Sequence, residues 1–277
     1  MLTTTVDGLW VLQVLTGIEV VAPELGLRPH LPSVESKHLA LEHPVTAGLR
    51  SAGVIDDSDA VDDAVREWLT VLSRRDLALF LQIRPAEVGE PARVLLARFA
   101  HWWVTLERSA DLIRLSGAGT ATSEAQATTL VAAQIDRLCG INTPAVLRPV
   151  TIDAEAMLSA ATSQSALHTF LAKQDLDADQ LRTLLLAADP EVSAQASLVA
   201  IQSGIETGRP TRTHVEQSSV TIIDTAAGRL LAERVFSSGK KWMIIAPATS
   251  SVIGSAINNM MRRLPADREW FSYRKAV

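Results

Sequence analysis

Two stretches of the chain repeat one pattern of apolar and polar positions. Residues 218–224, 229–236 and 242–246 are β-branched, apolar runs split by Thr225-Ala226-Ala227-Gly228 and Ser237-Ser238-Gly239, which predicts a three-stranded meander. Thr249-Ser250 can then cap a helix whose apolar residues Val252, Ile253, Ala256, Ile257, Met260, Met261 and Leu264 recur at helical spacing until Pro265 stops it. An N-terminal echo reads as strands over 77–84, 93–108 and 112–115, a capping box of Ser123 with Gln126, and a helix with Ala127, Leu130, Val131, Ile135 and Leu138 on one side. Laid over each other, the two copies put Ser123 on Thr249, Val131 on Ile257 and Arg137-Leu138 on Arg263-Leu264. Such a long period marks a duplicated half-domain, and two halves that each expose a sheet edge are expected to join into one sheet. The predicted unit is one domain over residues 1–277, with halves of about 1–145 and 146–277 related by a pseudo-twofold axis.

The intervening segments are less regular. The apolar run of residues 6–15 predicts a buried opening strand, and the prolines between 23 and 44 predict an irregular connection with short strands. The acidic cluster 56–63 is expected to open a helix buried through Val61, Val65, Trp68, Leu69 and Leu72, closed by Arg74-Arg75. Residues 142–149 read as the link between halves. From 153 to 207 the pattern predicts helices throughout: caps at Asp153 and Ser163, a capping box of Asp177 with Gln180, and Asp189-Pro190 opening a last helix ended by Gly208. The fold class is α+β, a central, mainly antiparallel sheet with helices at each end.

Composition narrows the functional classes. The 277 residues are 47% hydrophobic, with a formal charge of -5. No Lys/Arg run exceeds a pair, so nucleic acid is not an expected partner. The single cysteine, Cys139, cannot form an internal disulfide and reads as an inert thiol near a helix end. The N-terminus lacks a basic n-region, and the uncharged run 242–261 is too polar for membrane insertion; a cytoplasmic location is expected.

Candidate chemistry is sparse. His30, Glu35, His38, Glu42 and His43 form the densest polar cluster, but HxxxEH matches neither HExxH nor HxxEH. Gly117-Ala118-Gly119 reads as a strand-to-helix turn able to offer N–H groups to a phosphate, though Thr122 stands where a third glycine belongs. A nucleotide- or metal-dependent enzyme using one of these features is therefore the alternative to a protein with no catalytic site and no cofactor. What remains is surface. A single strand over 93–108 would place Leu95, Ala97, Phe99, His101 and Trp103 on one apolar face, making Trp103 a candidate contact with a partner. Residues 85–91 (PAEVGEP) are expected to form a mobile hairpin loop beside that surface, with Glu87, Val88 and Gly89 at its tip. Phe236, flanked on its strand face by polar Arg234 and Ser238, is expected to be an exposed anchor.

The segments VDGLWVLQVL (6–15), RPTRTHVE (209–216), VTIIDT (220–225), WMIIAP (242–247) and MMRRLP to EWFSYRK at the end resemble the EspG family of type VII (ESX) secretion-associated proteins. The resemblance implies a central sheet flanked by two helical bundles, and a cytosolic chaperone that binds PE–PPE heterodimers through the tip of the PPE subunit and delivers them to the secretion machinery. It places docking on the C-terminal half, and the wording is nearest to members serving the first ESX system. A homodimer in the cargo-free state is a further expectation.

Overall fold

Strand β1 (Leu2–Thr5) runs directly into helix α1 (Val6–Thr16), so the opening apolar run is a helix and not the predicted strand. The computed structural model describes residues 1–86, 89–204 and 212–275. Thr5 Oγ1 accepts the Gly8 N–H at 3.1 Å and caps α1. Leu9, Val11, Leu12, Val14 and Leu15 are all buried, and a helix buried nearly all round carries no amphipathic period to set it apart from a buried strand. The proline-rich region holds a 3-10 turn at Pro23–Leu25 and helices α2 (Lys37–Glu42) and α3 (Pro44–Ser51) in place of short strands. Helix α4 (Asp63–Arg74) keeps most of the stripe read from sequence: the Asp62 carboxylate accepts the Val65 N–H at 3.1 Å and Val65, Leu69 and Leu72 are buried, whereas Val61 lies ahead of the helix in a bridge to Ile55.

Next come β2 (Leu77–Arg84), β3 (Ala92–Phe99), β4 (Trp102–Ser109), β5 (Leu112–Thr120) and α5 (Glu124–Cys139). The single strand expected over 93–108 is a hairpin, β3 to β4, turning at Ala100, whose φ is 57°. That left-handed backbone is unfavourable for alanine, and Asp76 Oδ2 holds it by accepting the Ala100 N–H at 2.8 Å. Ser123 caps α5 as predicted, but Gln126 Oε1 turns to the backbone N–H and hydroxyl of Thr122, so the reciprocal half of the box is absent.

The second half opens with β6 (Val150–Asp153) and helices α6 (Ala154–Ala160), α7 (Gln164–Leu171) and α8 (Ala178–Ala188), capped by Asp153, Ser163 and Asp177. The last predicted helix does not form. Residues after Pro190 make β7 (Ala194–Ser203), and Gly208 lies outside the described residues. In that strand Ala196, Leu198 and Ala200 alternate with Gln195, Ser197 and Val199, a period of two that small residues make faint. Strands β8 (Thr213–Val215), β9 (Ser219–Thr225), β10 (Gly228–Ser237) and β11 (Lys240–Pro247) are followed by α9 (Ser250–Met261), capped by Thr249, and by a 3-10 turn at Asp267–Glu269.

The strands form one 11-stranded sheet in the order β1-β5-β4-β3-β2-β7-β9-β10-β11-β6, with β8 beside β7. Read from either edge, the order is the same: a short strand that leads into a helix, a meander, then the seam where β2 pairs with β7 from Leu77↔Gln202 to Arg84↔Gln195. The fold is quasi-twofold. Helices α5 and α9 cover one sheet face over Leu79, Leu81, Leu96, Leu198, Val220 and Leu231. Two separate clusters occupy the other face. Helices α1 to α4 pack over Leu95, Leu106 and Ile113, and α6 to α8 over Ile223, Leu230 and Ile245.

Candidate partner interface

Because the two bundles sit over opposite ends of their sheet face, its middle is half-open. Strand alternation presents Phe80 and Gln82 from β2, Ser197 and Val199 from β7, and Thr221 from β9 on this face, in the cross-strand pairs Phe80↔Val199, Gln82↔Ser197 and Ser197↔Thr221. Gln82 is exposed and the others are half-buried, whereas their neighbours Leu79, Leu81, Leu198 and Val220 are sealed on the opposite face. The hydroxyls of Ser197 and Thr221 are 3.0 Å apart and satisfy each other, which leaves a floor without a free charge at its centre. None of these residues stood out in the sequence, because recognising them requires β7 to be a strand.

The strip continues along β10, where Arg234 and Phe236 follow Ala232 on the same face. Phe236 is 60% exposed, opposite Lys241, in a shallow cleft of about 280 Å³ shared with Gln217, Arg234 and Val235. Arg234 is half-buried and its guanidinium donates to the Gln217 carbonyl at 3.4 Å. Gly89 is exposed in the β2–β3 connection, while Glu87 and Val88 lie outside the described residues. Trp103 has a different place from the one expected: it is only 1% exposed and packs beneath α5 and α9 with Leu96 and Val131. The turn at Ala100 resets the alternation, so Trp103 moves to the face opposite Leu95 and Ala97, and Trp102, 50% exposed, is the tryptophan at the surface.

The polar features divide into structural roles. His30 is buried, with Nδ1 2.9 Å from Glu35 Oε2, and Glu35 also accepts the Leu31 N–H at 2.7 Å and a hydrogen bond from Arg28. Burial works to raise the Glu35 pKa, but the Leu31 N–H, Arg28 and His30 outweigh it and bring the group down to about 2. His38 and Glu42 form an exposed pair one helical turn apart, and His43 caps α3. Among the described residues, no group of three or more His, Cys, Asp or Glu could hold a metal ion. Gly117 and Gly119 lie inside β5 and not in a turn at a helix start, which removes the phosphate-cradle geometry. Burial pushes the Cys139 thiol up to about 11, unfavourable for a nucleophilic thiolate.

On the opposite face of the sheet, an ion pair within the second half reaches back to the first. Arg229 on β10 donates from Nε and Nη2 to the Asp224 carboxylate, both at 2.7 Å, and its remaining N–H groups reach the Gly140 and Cys139 carbonyls at 2.8 Å. The hydrogen-bonded Asp224 raises the Arg229 pKa further above its usual value. The end of α5 is thereby fastened to the second half.

The sequence pattern of the EspG family matches residues 5–259. The chain belongs to the EspG family. It is 50% identical over 277 residues, covering 100% of both chains, to the ESX-2 secretion-associated protein EspG2 of Mycobacterium tuberculosis strain H37Rv. It is 28% identical over 297 residues, 97% of this chain and 95% of the relative, to the ESX-5 secretion-associated protein EspG5 of the same strain. A solved Mycobacterium tuberculosis structure, the type VII secretion system chaperone EspG5 in complex with a PE25–PPE41 dimer, shares the fold with a TM-score of 0.72 at 24% identity, covering 96% of this chain and 98% of that one. Where the wording pointed to the first ESX system, these relatives carry ESX-2 and ESX-5 names. No helix among the described residues is long and apolar enough to cross a membrane.

Proposed function

We propose that this EspG-family chain is a cytoplasmic chaperone and adaptor, without catalytic activity, that binds PE–PPE heterodimers, keeps them soluble and targets them to an ESX secretion system. The observation that carries this reading is the family match from residue 5 to residue 259 together with the full-length relationship to EspG2. The geometry supports it: an elongated helical tip needs an apolar strip with few charges, and the half-open floor from Phe80 and Val199 to Phe236 has that character. In this reading Phe236 is the buried-on-binding anchor, Arg234 sets orientation at the rim, and the 85–91 connection with Glu87, Val88 and Gly89 adds contacts from the first half. Trp103 contributes only by packing beneath the sheet. The chain acts as one domain, its halves 1–145 and 146–277 meeting at the seam that forms the platform.

Co-expression with PE–PPE pairs tests the proposal, starting with pairs of the ESX-2 system because of the 50% relative. A cognate pair should be insoluble alone and co-elute with this chain on size exclusion. Failure of every ESX-associated pair to co-elute would overturn it.

A further inference from the structure

The outer side of β5 is only partly used. β1 pairs with it from Leu112 to Leu115, and beyond that, among the described residues, Ser116 to Thr120 have a strand beside them on the β4 side alone. Gly117, Gly119 and Thr120 are exposed. The quasi-equivalent strand β11 is also only partly covered, since β6 pairs with Trp242 to Ile245. Its uncovered ends, however, carry Lys240, Lys241 and Pro247, residue types that discourage another strand from adding. The open part of β5, Ser-Gly-Ala-Gly-Thr, has no charge and no proline.

Beside this unguarded edge is an apolar cavity of about 560 Å³ whose lining includes Trp68, Val71, Phe99 and Trp102. Gly117 and Gly119 belong to both the edge and the lining. A Cβ on Gly117 would stand 3.0 Å from the Trp68 indole nitrogen, so glycine here lets the indole lie close against the edge strand and wall the cavity. The register shift between Trp103 and Val104 is a bulge in the same place, a feature that re-aims side chains next to sites. Arg66 and Glu67 give the lining one charge of each sign, which favours neither an anion nor a cation.

We propose that the β5 edge from Ser116 to Thr120, with this cavity, docks an extended uncharged peptide segment of another protein by strand addition, one bulky apolar side chain entering among Trp68, Phe99 and Trp102. The open backbone groups specify a strand, the absence of net charge specifies a neutral segment, and the volume lies within the usual range of ligand sites. The added strand runs antiparallel to β5 and in line with β1, ahead of the exposed Met1. This surface is separate from the strip proposed for PE–PPE cargo.

The probe is a capped fluorescent heptapeptide, Thr-Val-Thr-Phe-Thr-Val-Thr, read by anisotropy and by amide exchange at residues 116–120, with a control peptide N-methylated at alternate amides. Saturable binding with slowed exchange at 116–120 is expected, at least tenfold weaker for the N-methylated peptide and for Trp102→Ala. A chain lengthened by Thr-Val-Thr-Val-Thr before Met1 should fill its own edge and lose peptide binding. Absence of binding, equal binding of the N-methylated peptide, or unchanged binding to the lengthened chain would overturn the proposal. So would peptide-free slowing of exchange at 116–120 that grows with protein concentration, which makes a second copy the occupant.

Discussion

The Asp76 carboxylate accepts the backbone N–H of Lys275 at 2.9 Å, across a separation of 199 residues. The same carboxylate lies 3.8 Å from the guanidinium of Arg98, which is 0% exposed and donates to the Trp270 carbonyl at 2.6 Å and to that of Tyr273. Tyr273 in turn donates its hydroxyl to the carbonyls of Ser203 and Gly204, at 2.9 and 2.8 Å. The C-terminal segment thus closes over the end of the seam, beyond the part matched to the family. Burial pulls Arg98 down to about 10 while Asp76 opposes it, so the guanidinium stays charged at neutral pH.

Removing Asp76 leaves that buried cation without its counter-charge and two backbone N–H groups without their acceptor. Asp76→Ala should cost about 3 kcal/mol, read as a lower urea midpoint at unchanged slope, and Asp76→Asn should cost less because the amide oxygen still accepts. An unchanged midpoint in Asp76→Ala would show that the clasp does not contribute to stability.

Gly228 sits at φ 110°, and a Cβ there would stand 2.8 Å from the backbone of Ala145. Backbone cannot move aside as a flexible side chain can, so Gly228→Ala combines strain with a clash and should cost about 2 kcal/mol or more. Thermal unfolding measures it, with Gly254→Ala, in open space on α9, as the comparison that should be neutral or stabilising.

For Glu35 the sign follows from a folded pKa of about 2 against an ordinary 4.5. The folded state binds the proton less readily, so the contribution to stability is fully present above pH 4.5 and is lost as pH falls towards 2. Glu35→Gln should therefore flatten the fall of the unfolding midpoint in that window, and identical pH profiles would refute the role assigned to the Arg28, His30 and Leu31 contacts.

Phe236→Ala should weaken binding of a cognate PE–PPE pair by about 2 kcal/mol, roughly 30-fold, with thermal unfolding nearly unchanged because the ring is already exposed. Calorimetric titration and a melting curve on the same sample separate the outcomes; earlier melting with normal affinity would make Phe236 a packing residue.

Local patterns determined much of this protein. The caps at Ser123, Asp153, Ser163, Asp177 and Thr249, the α4 stripe and the meander β9 to β11 all rest on interactions within a few residues, which the sequence displays directly. The repeated strand-and-helix pattern likewise pointed to a quasi-twofold sheet. Only tertiary structure decided the rest. Residues 6–15 are a helix buried between α2 and α3 on one side and the sheet on the other, and the turn at Ala100 is held because Asp76, distant in sequence, accepts its N–H. β7 is a strand because β2 and β9 flank it, although its alternation is between small residues. The candidate interface follows from the same cause: Phe80 meets Val199 only where β2 and β7 join the two halves, Ser197 meets Thr221 across β7 and β9, and no local pattern marks residues whose role arises from partners far along the chain.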